Sequence, residues 1–127
     1  MDRVCHFEIP YDDKERAARF YQNVFGWEIE HMEGMDYSMV ITTPTDEMMQ
    51  CKEPGGINGG MYKRGDDGSP TPVVVMQVDS CEQRIKDVEA AGGSAVVPLR
   101  EMGGMGLYAQ VKDTEGNIVG LWQPLQD

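Results

Sequence analysis

Apolar and polar residues alternate in short runs along this chain, a helical period interrupts them twice, and the whole order occurs two times. From Val4 the run VCHFEI reads as a strand. Ala17, Phe20, Tyr21, Val24 and Phe25 then recur at helical spacing, and WEIEHM, YSMVITT and GGINGGMY return to strand-like runs. From Val73 the order restarts with VVVMQV. A helical segment, DSCEQRIKDVEAAGG, carries Ile85 and Val88 as its apolar stripe, and SAVVPL, GLYAQV and NIVGLWQ follow. Each pass is a β-α-β-β-β unit. Such a unit cannot bury both faces of its own small sheet, so two copies are expected to complete one core. The expected fold class is α+β: two tandem β-α-β-β-β modules forming a curved, mostly antiparallel eight-stranded sheet around a central cavity, where function is to be sought.

Local signals place the boundaries. Asp12 and Glu15 stand three apart before the first helix, as in a capping box, and Gly26 follows it as a stop. Ser80 and Gln83 repeat the scheme before the second helix, and Gly92-Gly93 ends it. The stretch from Arg64 to Pro72 is polar, rich in Gly and Pro and without periodicity, as a surface linker is. The chain therefore reads as one domain, 1–127, with module 1 at 1–63, a linker at 64–72 and module 2 at 73–127. Met48 to Asn58 and Glu101 to Gly106 read as further loops, the second rich in Gly and Met and suited to an adaptable pocket mouth.

Alternation assigns the strand faces. Cys5, Phe7 and Ile9 are expected to meet the helices, which turns Val4, His6 and Glu8 to the opposite side. In the second module Val74, Met76 and Val78 are expected toward the helix and Val73, Val75 and Gln77 away from it. A partly apolar cavity with a few polar groups accommodates both kinds of residue on the far face. After the turn Asp113 to Asn117, whose Gly116 suits a positive φ, Ile118, Gly120 and Trp122 share one face. Tyr62 stands beside Gly60 in the same way.

Composition narrows the function classes. A net charge of −11 speaks against a nucleic-acid partner, because phosphate binding needs clustered Lys and Arg. Cys5, Cys51 and Cys81 are odd in number and lack paired metal-site spacing, so they read as free thiols in a reducing compartment, the cytoplasm. The sequence has no run apolar enough to span a bilayer, and neither a membrane partner nor a signal peptide is expected.

HFEIP with ERAARFYQNVFGWE near the start, and KDTEGNIVGLWQP near the end, resemble the vicinal oxygen chelate superfamily of glyoxalases, bleomycin-resistance proteins and extradiol dioxygenases. The look is nearest to glyoxalase-like proteins that end in Gly-Leu-Trp, and it covers nearly the whole chain. The resemblance implies one divalent metal held by residues on the first and last strand of each module. Carried over by position, those sites fall on His6, near Gly60, near Val73 and on Gly120. Only His6 has a side chain that binds metal, so the expected metal site is none and the expected cofactor is none. Glu8 and Gln77 lie two to four residues from the implied positions, roughly 7–13 Å along a strand.

Two functions stay open on these residues. One is a metal-independent enzyme of lyase or isomerase type. His6 and Glu8 share a face about 7 Å apart and can serve as general acid and base, with Tyr62, Gln77, Tyr108 and Trp122 contacting the substrate. The other is a binding protein that sequesters an aromatic or cationic molecule by stacking on Tyr62, Tyr108 and Trp122. A small-molecule ligand and a homodimer, whose interface would cover sheet edges, are expected in both.

Overall fold

Eight strands and two helices follow in the order β1 (Val4–Tyr11), α1 (Lys14–Phe25), β2 (Glu28–His31), β3 (Tyr37–Ile41), β4 (Gly59–Lys63), β5 (Val73–Gln77), α2 (Cys81–Ala90), β6 (Ser94–Met102), β7 (Gly106–Lys112) and β8 (Ile118–Pro124). This is the α+β order expected from the doubled pattern. The computed structural model describes residues 1–48, 50–65 and 68–125. Asp66 and Asp67 of the expected linker lie outside the described residues, as does Asp127. Two compact units emerge. One comprises Met1–Cys5, Gly65–Ser69 and Val73–Asp127; the other comprises His6–Arg64 and Pro70–Pro72.

In the unit of His6–Arg64 the strands run in the order β2-β3-β4-β1. β2 with β3 and β3 with β4 are antiparallel, and β4 with β1 is parallel. Helix α1 covers one face, where Tyr11, Val40 and Met61 are buried and Phe7, Ile9, Ala17, Tyr21, Trp27 and Ile29 pack against them. Burying a residue of Met61's kind stabilises by about 1.5–3 kcal/mol. The FYxxxFGW phrase is an aromatic clamp on this face: the Tyr21 and Trp27 rings stack 4.9 Å apart and only 4° from parallel.

The cap of α1 sits one residue later than the sequence suggested. Asp13, not Asp12, is the N-cap, and its carboxylate accepts the Arg16 N–H at 3.0 Å. Asp12 is engaged elsewhere, 2.6 Å from the Arg64 guanidinium. Gly26 closes the helix with φ +72°, a conformation cheap only for glycine, and its N–H reaches the Gln22 carbonyl.

In the other unit the order is β5-β8-β7-β6, with β5 and β8 parallel and the remaining pairs antiparallel. Helix α2, capped by Ser80 on the Gln83 N–H, covers a core of Val78, Cys81, Val111 and Leu121 with Met76, Ile85, Val88, Leu107 and Val119 around it. Val74 departs from the expected set: it stays 49% exposed at the start of its strand, while Met76 and Val78 pack as expected. The Gln77 N–H donates to the Arg3 carbonyl, so the first residues of the chain are tied to this unit by a backbone bond.

Candidate functional site

The face of each sheet turned away from its helix carries the residues of interest. In the unit of His6–Arg64, β1 presents His6 and Glu8 there, β4 presents Gly60 and Tyr62, and β3 presents Tyr37 and Met39. The register aligns Glu8 with Gly60, Gly60 with Met39 and Tyr62 with Tyr37. Cross-strand partners share a face, so the alternation that sent Ser38 and Val40 under the helix sent Tyr37 outward.

Tyr37 was not anticipated, and it organises this face. Its hydroxyl lies 2.8 Å from His6 Nε2. β4 lies between the two strands that carry them, and strands repeat at about 4.8 Å, so the phenol must bridge roughly 10 Å of sheet. It can do so because residue 60 is glycine: a Cβ there would overlap the Tyr37 hydroxyl. The Gly59-Gly60 pair in the sequence was the available signal, since strand glycines mark close approach.

Glu8, the carboxylate of the pair expected to do chemistry, is 3% exposed. It takes part in interactions within the fold. His6 is partly buried, and loss of hydration pushes its pKa down from 6.5 to about 4. The imidazole is therefore neutral at physiological pH, with one ring nitrogen a donor and the other an acceptor. Tyr62 is partly exposed on the same face.

The other unit builds a second version of the same motif. Gly120 lies on β8 level with Gln110 and Val75, and Trp122 lies level with Tyr108 and Gln77. A Cβ on Gly120 would stand 3.4 Å from the Tyr108 hydroxyl and 2.9 Å from Val75 Cγ2. The Tyr108 hydroxyl accepts from Gln110 Nε2 at 2.7 Å, and Gln110 Oε1 accepts the Ser69 N–H at 2.8 Å. The backbone donor at Ser69 demands an oxygen, which settles the amide orientation and makes the phenol an acceptor. Tyr108 is buried, whereas Gln77 and Trp122 are partly exposed. An open depression of about 650 Å³ at Thr45, Asp46, Glu47, Met48 and Lys52 contains none of the expected site residues.

Comparisons with known proteins bear on this arrangement. The family model for a bleomycin-resistance-protein-like N-terminal region matches residues 3–43. A putative glyoxylase of Mycobacterium bovis is 27% identical over 91% of this chain, which spans only 43% of that relative's length. A glyoxylase-like domain-containing protein of Didymella fabae is 28% identical over 91% of this chain and 88% of its own. Among solved structures, a glyoxalase/bleomycin resistance protein/dioxygenase superfamily member from Vibrio splendidus has a TM-score of 0.58 at 14% identity, covering 97% of this chain and 99% of that one. These matches liken the chain to the glyoxalase and bleomycin-resistance proteins of the vicinal oxygen chelate superfamily and support its membership there. The fold is shared more widely within its structural neighbours: methylmalonyl-CoA epimerase from Mycobacterium tuberculosis gives a TM-score of 0.66 at 15% identity, over 97% of this chain and 88% of that one.

The superfamily's divalent metal does not fit these side chains. Of the four positions the resemblance implies, only His6 offers a donor, and its Nε2 is bonded to a phenol. At Gly60 the space a ligand side chain would use is filled by the Tyr37 hydroxyl, and Gly120 faces Tyr108. Among the described residues no three His, Cys, Asp or Glu side chains gather into a metal-binding group. Of the six residues the sequence singled out, His6, Glu8 and Tyr62 share one face of their unit, and Gln77, Tyr108 and Trp122 share one face of theirs.

Proposed function

We propose that this superfamily member binds a small organic molecule against the face carrying His6, Glu8, Tyr37 and Tyr62 and transforms it without a metal, by acid–base chemistry of lyase or isomerase type. The observation that carries the reading is the His6–Tyr37 hydrogen bond beside an enclosed carboxylate, a neutral imidazole and a phenol poised over a gap in the sheet. In such surroundings Glu8 serves as the base and the His6–Tyr37 pair as the hydrogen-bonding partner of the developing charge. In the other unit, Gln77, Tyr108 and Trp122 are proposed as a ligand-contacting surface of their own.

A second reading rests on the partly exposed aromatics and the charge of −11: sequestration of an aromatic or cationic molecule with no turnover. A thermal-shift screen against aromatic cations, thiol conjugates and epoxides, followed by product analysis, separates the two. Turnover that disappears in Glu8→Gln of unchanged fold supports the enzyme. Tight binding of a cation with no product supports sequestration.

Among the described residues no helix is long and apolar enough to cross a membrane. Cys5, Cys51 and Cys81 are free thiols, in keeping with a proposed reducing, cytoplasmic setting. The proposed homodimer draws support from Phe20, Val24 and Phe25, which α1 leaves more than half exposed. Light scattering on the wild type and on Phe20→Glu is expected to read a dimer and a monomer; a monomeric wild type sinks the proposal.

A further inference from the structure

We infer that the sheet face carrying Gln77 and Trp122 binds a neutral, planar N-heterocycle whose edge sets a hydrogen-bond donor beside an acceptor, the class to which adenine belongs. This deepens the proposal that Gln77, Tyr108 and Trp122 form a ligand-contacting surface, and rests on it.

Three observations carry the inference. First, the two side chains lie together and the fold does not use their polar groups. Gln77 and Trp122 are register partners on neighbouring parallel strands, so their Cα atoms are about 4.8 Å apart and their side chains share a face. Both are partly exposed. The Gln77 N–H donates to the Arg3 carbonyl and the Trp122 carbonyl accepts the Val78 N–H, both through the backbone. Among the described residues neither the Gln77 carboxamide nor the Trp122 indole N–H has a hydrogen-bond partner. Second, the indole leaves room beside the amide. A Cβ on Gly106 would stand 2.9 Å from Trp122 Cη2 and Cζ2. Gly106 belongs to β7, on the side of β8 away from β5. The ring therefore leans over the glycine and away from Gln77, and a flat molecule lying against it meets the carboxamide at its edge. Met105 and Leu125 stand one residue beyond the Gly106–Pro124 pair, both well exposed, and the Leu125 N–H donates to the Met105 carbonyl at 3.0 Å. They add an apolar rim past the ring. Third, the surroundings are neutral. β5, β8 and the turn at 103–105 contribute no charged side chain.

The two side chains divide the work of recognition. An indole stacks on any flat ring, because every such ring has a π face, so stacking alone does not choose among them. Selection falls to the carboxamide. It holds an acceptor oxygen and an NH2 donor in one plane. Such a group pairs two-fold with an edge that offers a donor and an acceptor side by side, as adenine does with its exocyclic amine and the neighbouring ring nitrogen. A ring that lacks the amine leaves the amide oxygen unpaired. A phosphate is disfavoured, because the chain carries −11 and neither β5 nor β8 brings a Lys or Arg. A cation finds no carboxylate on those strands to pair with.

The test is titration of 15N-labelled protein with adenine, purine, N-methylquinolinium and adenosine monophosphate, following the Trp122 indole and Gln77 carboxamide resonances. Adenine is expected to shift both, and to bind about 10-fold or more tighter than purine, which lacks the exocyclic donor. Adenosine monophosphate is expected to bind more weakly than adenine. Gln77→Leu is expected to weaken adenine about 10-fold or more, the range for loss of a two-fold hydrogen bond, and to leave purine unchanged. Trp122→Leu is expected to abolish binding of both rings. Trp122→Phe, the milder change, is expected to weaken both while the remaining resonances report an unaltered fold. Adenine affinity untouched by Gln77→Leu overturns the ligand class and leaves the ligand-contacting surface standing. Tighter binding of N-methylquinolinium than of adenine overturns the neutrality of the ligand. Wild-type protein whose Trp122 and Gln77 resonances respond to none of the four probes brings down both.

Discussion

The Tyr37 hydroxyl stands in the space that a side chain at residue 60 would need. The obstacle is the far end of a rotatable side chain, so Gly60→Ala is expected to fold and to push the phenol aside. The hydrogen bond to His6, worth about 1 kcal/mol, is lost, and the better strand propensity of Ala returns part of it. Thermal unfolding should therefore move little, while a crystal structure shows the 2.8 Å contact gone. A mutant that keeps the contact would refute the account of Gly60.

Gly120→Ala is expected to behave differently. The added methyl meets Val75 Cγ2 at 2.9 Å and Tyr108 at 3.4 Å, and both residues are buried. Neither can move without disturbing its neighbours, so overpacking is expected to cost about 1–3 kcal/mol. Urea unfolding of the two alanine variants side by side checks the contrast. Equal losses would mean that the two glycines are not distinguished by what lies over them.

Protonation of His6 should be visible in stability. Its folded pKa is about 4 against 6.5 in the unfolded chain, because burial strips water from the charged ring. Between those values the unfolded chain takes up a proton that the folded chain refuses. Stability from this group is thus complete above pH 6.5 and declines as pH falls toward 4, by roughly 3 kcal/mol in all. His6→Gln should flatten that part of the urea-derived stability curve between pH 7 and pH 4, and an unchanged slope would count against it.

Asp12 and Asp13 are adjacent acids with different work. Asp13→Ala removes the cap on the Arg16 N–H and is expected to cost about 1 kcal/mol. Asp12→Ala removes only an exposed pair with Arg64 and is expected to change stability by less than about 0.5 kcal/mol. Chemical denaturation of the two variants decides it, and a larger loss from Asp12→Ala would return the cap to that residue.

Much of this site was legible in the chain. Period-two alternation correctly separated Phe7 and Ile9, packed under α1, from His6 and Glu8 on the opposite face. The same rule separated Met76 from Gln77, and the turn glycine at residue 116 has the positive φ its context demanded. The cap slipped by one residue because two successive acids offer the same signal, and only backbone geometry chooses between them. Tyr37 escaped notice because its importance lies in a neighbour 31 residues away in sequence.

The sequence by itself determined the element order, the two-fold repetition of that order and the helix-covered face of Phe7, Ile9, Met76 and Val78. Those follow from local sterics and from the need to hide apolar surface, which act along the chain. Tertiary structure alone decided which strands lie side by side, and hence that β4 intervenes between Tyr37 and His6 with a glycine at the crossing point. Lateral neighbours are set by long-range pairing, and an imidazole and a phenol can meet across a strand only after that pairing has removed every side chain from the space between them.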